Sequence, residues 1–107
     1  MATSIADGSQ TAVISTEHTL STITAAGSYV LGVDLSSLAD GDELTLRIKT
    51  KVRSVGTTRT TYVANYSNGQ SIENTLSVPI ASPYEFVATL EQTAGTGRAF
   101  NWEITEL

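Results

Sequence analysis

The chain has 107 residues, 40% of them hydrophobic and 16% charged, which fits one globular domain with a single core and leaves no room for a second. Eleven carboxylates oppose six Lys and Arg side chains, giving a formal net charge of −5, the wrong sign for a surface that tracks nucleic-acid phosphates. With no cysteine, neither a disulfide framework nor a thiolate metal site can form, so stability must come from packing or from partners.

Residues 1–10, "MATSIADGSQ", are small, polar and without a period, which predicts a flexible N-terminal arm ahead of a single β-sandwich domain over residues 11–107. The opening also lacks the basic and apolar regions of a secretory signal, and nowhere do about 18 apolar residues run together. The expectation is a soluble protein with no membrane partner, in which the Asn65-Tyr66-Ser67 glycosylation pattern stays idle. "TAVISTEHTLSTITA" is rich in β-branched residues and predicts two short strands. "GSYVLGVDL" alternates, with Tyr29, Leu31, Val33 and Leu35 on one face, and "SSLADGD" reads as a turn or a single helical turn.

"LTLRIKTKVRS", Leu44 to Ser54, then places four of the six cations, Arg47, Lys49, Lys51 and Arg53, at every second position. In a strand they share one face, while Leu46, Ile48 and Val52 point the other way with Thr50 interrupting. "SVGT" reads as a hairpin connection into "TRTTYVANYS", where Tyr62, Ala64 and Tyr66 share a face, and Asn68-Gly69 is a turn dipeptide. "SIENTLSVP" is a weaker strand ended by Pro79. "YEFVATLEQT" directs Tyr84, Phe86, Ala88 and Leu90 inward. After the "AGTG" loop, "RAFNWEITEL" puts Phe100, Trp102 and Ile104 on one face. About eight short strands with no amphipathic helix predict an all-β fold, a compact antiparallel β-sandwich of jelly-roll type.

Catalytic chemistry has few materials here. His18 is the only histidine, so neither a multi-histidine metal site nor an imidazole relay can be built, and a surface or packed residue is expected. Asp34, Asp40, Asp42 and Glu43 cluster in sequence, and "DGDE" has oxygen ligands that suit calcium. It lacks the EF-hand loop pattern, however, and Asp-Gly is ordinary turn chemistry. Gly95-Thr96-Gly97-Arg98 lacks the Lys-Ser/Thr ending and following helix of a phosphate loop, and a hairpin with glycines at positive φ is expected. Tyr62, Tyr66, Tyr84, Phe100 and Trp102 would make an aromatic platform for sugar if exposed, but their shared inward phase reads as core. No catalytic, cofactor-binding or metal residue is assigned, and the chain is read as no enzyme.

The run "TEHTLSTITAAGSYVLGVDLSSLADGDELTLRIKTKV", continued by "YEFVATLEQTAGTGRAFNWEITEL", covers most of the chain from about residue 11. It resembles a family of small tailed-bacteriophage virion proteins, through "GSYVLGVDLSSLADGDELTLRIKTKV" and "LEQTAGTGRAFNWEI" above all. The resemblance implies a decoration or cement protein on the assembled shell. Such a protein is made in the bacterial host cytoplasm, resides in the virion, binds the major capsid protein as a homo-oligomer, and needs no cofactor or nucleic acid. On that expectation the row Arg47, Lys49, Lys51 and Arg53 is either a docking face for an acidic capsid surface or the guarded edge of a sheet. The alternative is a carbohydrate-binding module of a phage tail or fibre, with glycan as its partner.

Overall fold

The computed structural model describes residues 2–107. Nine strands form two antiparallel sheets: β1 (Thr3–Thr11), β2 (Glu17–Ile23), β3 (Gly27–Asp34), β4 (Glu43–Thr50), β5 (Arg59–Ser67), β6 (Asn74–Leu76), β7 (Ile80–Ser82), β8 (Phe86–Ala94) and β9 (Ala99–Glu106). The first sheet has the order β1-β9-β3-β6, with β7 also on β3, and the second has the order β2-β8-β4-β5. This is the all-β sandwich expected from the period-2 pattern. The strand number rises to nine because the stretch around Pro79, which cannot donate to a ladder, divides into two three-residue strands that share one edge of β3.

The connectivity is that of one long antiparallel ribbon. β4 pairs with β5 at its closed end, then β3 with β6 and β7, β2 with β8, and β1 with β9. Additional pairing of β3 with β9 and of β4 with β8 rolls the ribbon into two layers. Thr50 and Ile23 both lie opposite Phe86, which puts the β4–β5 loop, the β2–β3 turn and the start of β8 at one end of the sandwich. Glu43 lies opposite both Ser67 and Ala94, so the β3–β4, β5–β6 and β8–β9 connections gather at the other.

The two inner faces supply the core in alternation: Tyr29, Leu31 and Val33 from β3, Phe100 and Ile104 from β9, Leu44, Leu46 and Ile48 from β4, and Phe86, Ala88 and Leu90 from β8. Leu35 and Leu38 cap it from the β3–β4 loop. Each fully buried aliphatic or aromatic side chain contributes about 1.5–3 kcal/mol relative to exposure. Tyr29 and Phe86 meet across the layers with centroids 5.3 Å apart and planes tilted by 55°, and the Tyr29 hydroxyl donates to the Ala25 carbonyl at 2.6 Å. Burial pushes the Tyr29 pKa up, and the nearby Glu106 carboxylate adds to that.

Two expectations are corrected. The arm expected over residues 1–10 is strand β1 from Thr3 onward, paired along its length with β9, while Met1 lies outside the described residues. Its side chains are mostly exposed, so no hydrophobic period could announce it. The backbone ladder holds it, helped by Ala6 against the core and by Gly8, where an added Cβ would come within 3.2 Å of the Trp102 ring. The basic strand expected to run to Ser54 ends at Thr50, because its neighbour β8 begins at Phe86, the partner of Thr50. Beyond that point no ladder remains, and Val52, expected inward, is 90% exposed.

Candidate partner-binding surface

The four cations of the basic row have two different fates. Arg47 and Lys49 stand on the outer face of β4 and are neutralised within the molecule. Arg47 donates to Glu91 of β8 at 2.8 Å and to Glu17 of β2 at 3.4 Å, and Lys49 reaches Glu17 at 3.2 Å. The Thr89 hydroxyl donates to the same Glu17 carboxylate at 2.8 Å. That bond, chiefly, holds the Glu17 pKa below its ordinary value despite desolvation, with Lys49 and Arg47 adding to the effect. The hydrogen bond to Glu91 likewise keeps Arg47 firmly charged. Two cations and two carboxylates thus make a near-neutral ladder across β2, β8 and β4.

Lys51 and Arg53 lie past the strand, in the connection over residues 51–58. Arg59 opens β5 at the other side of the same loop, and a recess beneath is lined by Thr50, Arg53, Gly56 and Arg59 among others. None of these three cations forms an ion pair among the described residues. The loop also exposes Val52 and Val55 at 90% and 84%. Glu85 is occupied nearby, accepting a hydrogen bond from Thr58. One end of an acidic protein therefore presents three free cations around two solvent-facing valines, a combination suited to an acidic, partly apolar protein surface.

The remaining motifs are dispersed over turns and hairpins. Asp34, Asp40, Asp42 and Glu43 do not converge: Asp34 accepts from the Ser36 amide at 2.8 Å, Asp40 faces the Gly69 amide at 3.4 Å, and Glu43 stands exposed at the start of β4. Among the described residues, no three His, Cys, Asp or Glu side chains are placed to hold a metal ion. Asp42 turns inward, 1% exposed, and accepts from the amides of Ala39 at 2.9 Å and Thr96 at 3.1 Å and from Arg98 Nε at 2.9 Å. Desolvation pushes its pKa up, but the three donors outweigh it and the net displacement is downward.

The "AGTGR" segment is a hairpin turn, as expected, with Gly95 at φ 91°. Gly97 is not at positive φ and is required by close approach instead, since a Cβ there would stand 2.6 Å from the Ala12 carbonyl oxygen. Gln92, fully buried at the inward phase of β8, ties the turn down by donating to the carbonyls of Ala94 and Thr96 and accepting from the Arg98 amide. His18 accepts from the Val13 amide at 3.0 Å and closes the β1–β2 turn. Phe100 is in the core, and Tyr62, Tyr66 and Trp102 pack against it. Only Tyr84, just before β8, is exposed. These rings form no outer platform.

Sequence reasoning missed the acidic partners of β4. Glu17 and Glu91 both fall on outward phases, but which strands flank β4 is a property of the topology rather than of the local period. The chain matches no family model, no curated protein and no solved structure.

Proposed function

We propose that this chain is a non-enzymatic structural protein of a tailed bacteriophage that binds the assembled capsid surface as a decoration or cement protein. The observation that carries the reading is the β4–β5 loop, where Lys51, Arg53 and Arg59 stand without intramolecular partners around exposed Val52 and Val55 in a chain of net charge −5. The partner is an acidic face of the major capsid protein, and the loop delivers both a steering charge and an apolar contact. The Arg47 and Lys49 half of the row supports the sheet and leaves docking to the loop. On this reading the sandwich is a jelly roll, supported by the rolled-ribbon pairing, and the protein acts in the virion as a homo-oligomer.

Two measurements test the proposal. Mass spectrometry of purified virions of the encoding phage should count this chain at a level comparable to the coat protein, and a copy number of a few per particle would sink the capsid reading. Co-sedimentation with those capsids across a salt series should show binding that weakens with ionic strength. The pair Lys51→Glu and Arg53→Glu should reduce it and flatten the salt dependence. Binding unchanged by those substitutions would remove the loop from the interface.

A further inference from the structure

We propose a second site, independent of the capsid reading: a groove on the outer face of the β9–β3–β6 sheet that binds a neutral glycan. The groove has a volume of about 440 Å³, within the size range of small-ligand sites. Its residues are brought together by register. Gly32 lies opposite Leu76 on one side and Glu103 on the other, and Asp34 lies opposite Asn74, with Asn101 two positions before Glu103 on β9. The central strand opens the floor because Gly32 has no side chain. A Cβ there would stand 3.0 Å from Leu76 Cδ2, so Leu76 leans over the glycine as an apolar wall while remaining 73% exposed.

The polar groups converge from both sides and are held in place. Asp34 is fixed by Ser36, whose amide donates to Oδ1 at 2.8 Å, and Glu103 Oε2 accepts from the Ser4 hydroxyl at 2.9 Å, so both carboxylates are oriented and keep acceptor capacity for further donors. The Asn74 and Asn101 carboxamides make no side-chain hydrogen bond among the described residues, which leaves donors and acceptors on both. A matching ligand offers several hydroxyl donors to the carboxylates, a mixture of donors and acceptors to the amides, and a C–H face to Leu76. A sugar ring has all three. Two carboxylates disfavour an anion, and a cationic side chain, which could pair with them, would leave the amide N–H donors and the Leu76 wall unused, whereas a sugar ring engages all three.

The test is a titration of the ¹⁵N-labelled full chain, read by amide shifts, with neutral mono- to trisaccharides of glucose, galactose, mannose and N-acetylglucosamine. A sialylated trisaccharide and a Lys/Arg peptide serve as competing chemistries. Saturable shifts centred on Gly32, Asp34, Asn74 and Asn101 with at least one neutral sugar are expected. Asn101→Ala, at an exposed position, should weaken binding by about 5–10-fold, the loss of one hydrogen-bonding group, with an otherwise unchanged spectrum. Gly32→Val should abolish it by filling the floor. The proposal is overturned if no neutral sugar shows saturable shifts at its highest soluble concentration, if only the anionic sugar or the peptide binds, or if binding survives both substitutions.

Discussion

Removing the Asp42 carboxylate is the sharpest perturbation of the scaffold that presents both surfaces. This side chain, 1% exposed, holds the β3–β4 loop to the β8–β9 turn through the Ala39 and Thr96 amides and Arg98 Nε. Asp42→Ala removes the acceptor of two backbone N–H groups, at half-buried Ala39 and exposed Thr96, where water replaces part of the bond and each loss costs about 1 kcal/mol. The Arg98 guanidinium also loses its counter-ion, but its side chain is 35% exposed and recovers part of that loss in water. The total is about 2–4 kcal/mol, from two amide bonds and a partly screened ion pair. That is a large part of the roughly 5–15 kcal/mol that stabilises a domain, and corresponds to a fall in Tm on the order of 15 °C. Arg98→Ala leaves the buried carboxylate with its two amide donors but without a counter-ion, and should cost about 2–4 kcal/mol.

The pH dependence has a definite sign. The folded-state pKa of Asp42 lies below its ordinary value, so its stabilising contribution is complete above about pH 4 and is lost as pH falls through the lowered value. The stability difference between wild type and Asp42→Asn should therefore be constant from neutral pH to about pH 5 and shrink towards pH 2. Urea unfolding across that range measures it. An Asp42→Ala variant destabilised by less than about 1 kcal/mol, or an Asp42→Asn gap that stays constant down to pH 2, would refute the latch.

Three further outcomes follow from the geometry. Gly41 and Gly95 share φ near +90°, but a Cβ at Gly41 meets nothing within 4 Å whereas one at Gly95 would stand 2.0 Å from Asp42 Oδ1. By thermal unfolding, Gly41→Ala should cost about 1–2 kcal/mol of backbone strain and Gly95→Ala considerably more. A double-mutant cycle of Glu17→Ala and Arg47→Ala should give a coupling of about 0.5–1 kcal/mol that fades in 1 M salt, because the pair is only partly shielded from water. Deleting residues 2–10 should uncover the edge of β9 and the Trp102 ring over Gly8, read as a red shift of the single tryptophan's emission with the far-UV spectrum of a β protein retained.

What could be read from the sequence follows the distance over which each feature is determined. The inward sets of β3, β4 and β8 were legible because alternation in "GSYVLGVDL", "LTLRI" and "FVATL" is a property of the strand itself. β1 was not, since an edge strand held by its ladder needs no apolar row. The end of the basic strand was not legible either, because Thr50 terminates β4 only through the position where β8 starts. Asp42 looked like any residue of a polar turn, and its burial depends on Arg98, 56 positions along the chain. Nor could alternation reveal the groove: Asp34, Asn74 and Asn101 come together only when β3 has both β6 and β9 as neighbours.

The placement of the two proposed surfaces links them. The β4–β5 loop lies at the end of the sandwich where Thr50 meets Phe86, whereas Asp34 and Asn74 lie where β3 runs out towards the opposite end of a body whose longest dimension is 40 Å. A molecule docked through Lys51, Arg53 and the two valines turns the groove away from the surface it sits on. Charge favours the same orientation: Asp34, Asp40, Glu43 and Glu73 belong to the far end and would be repelled by an acidic capsid face. Capsid-bound protein should thus bind the same neutral sugar as the free chain with unchanged affinity. Mutual exclusion of capsid and sugar would show that the groove faces the shell, and the loop would then have to be abandoned as the docking end.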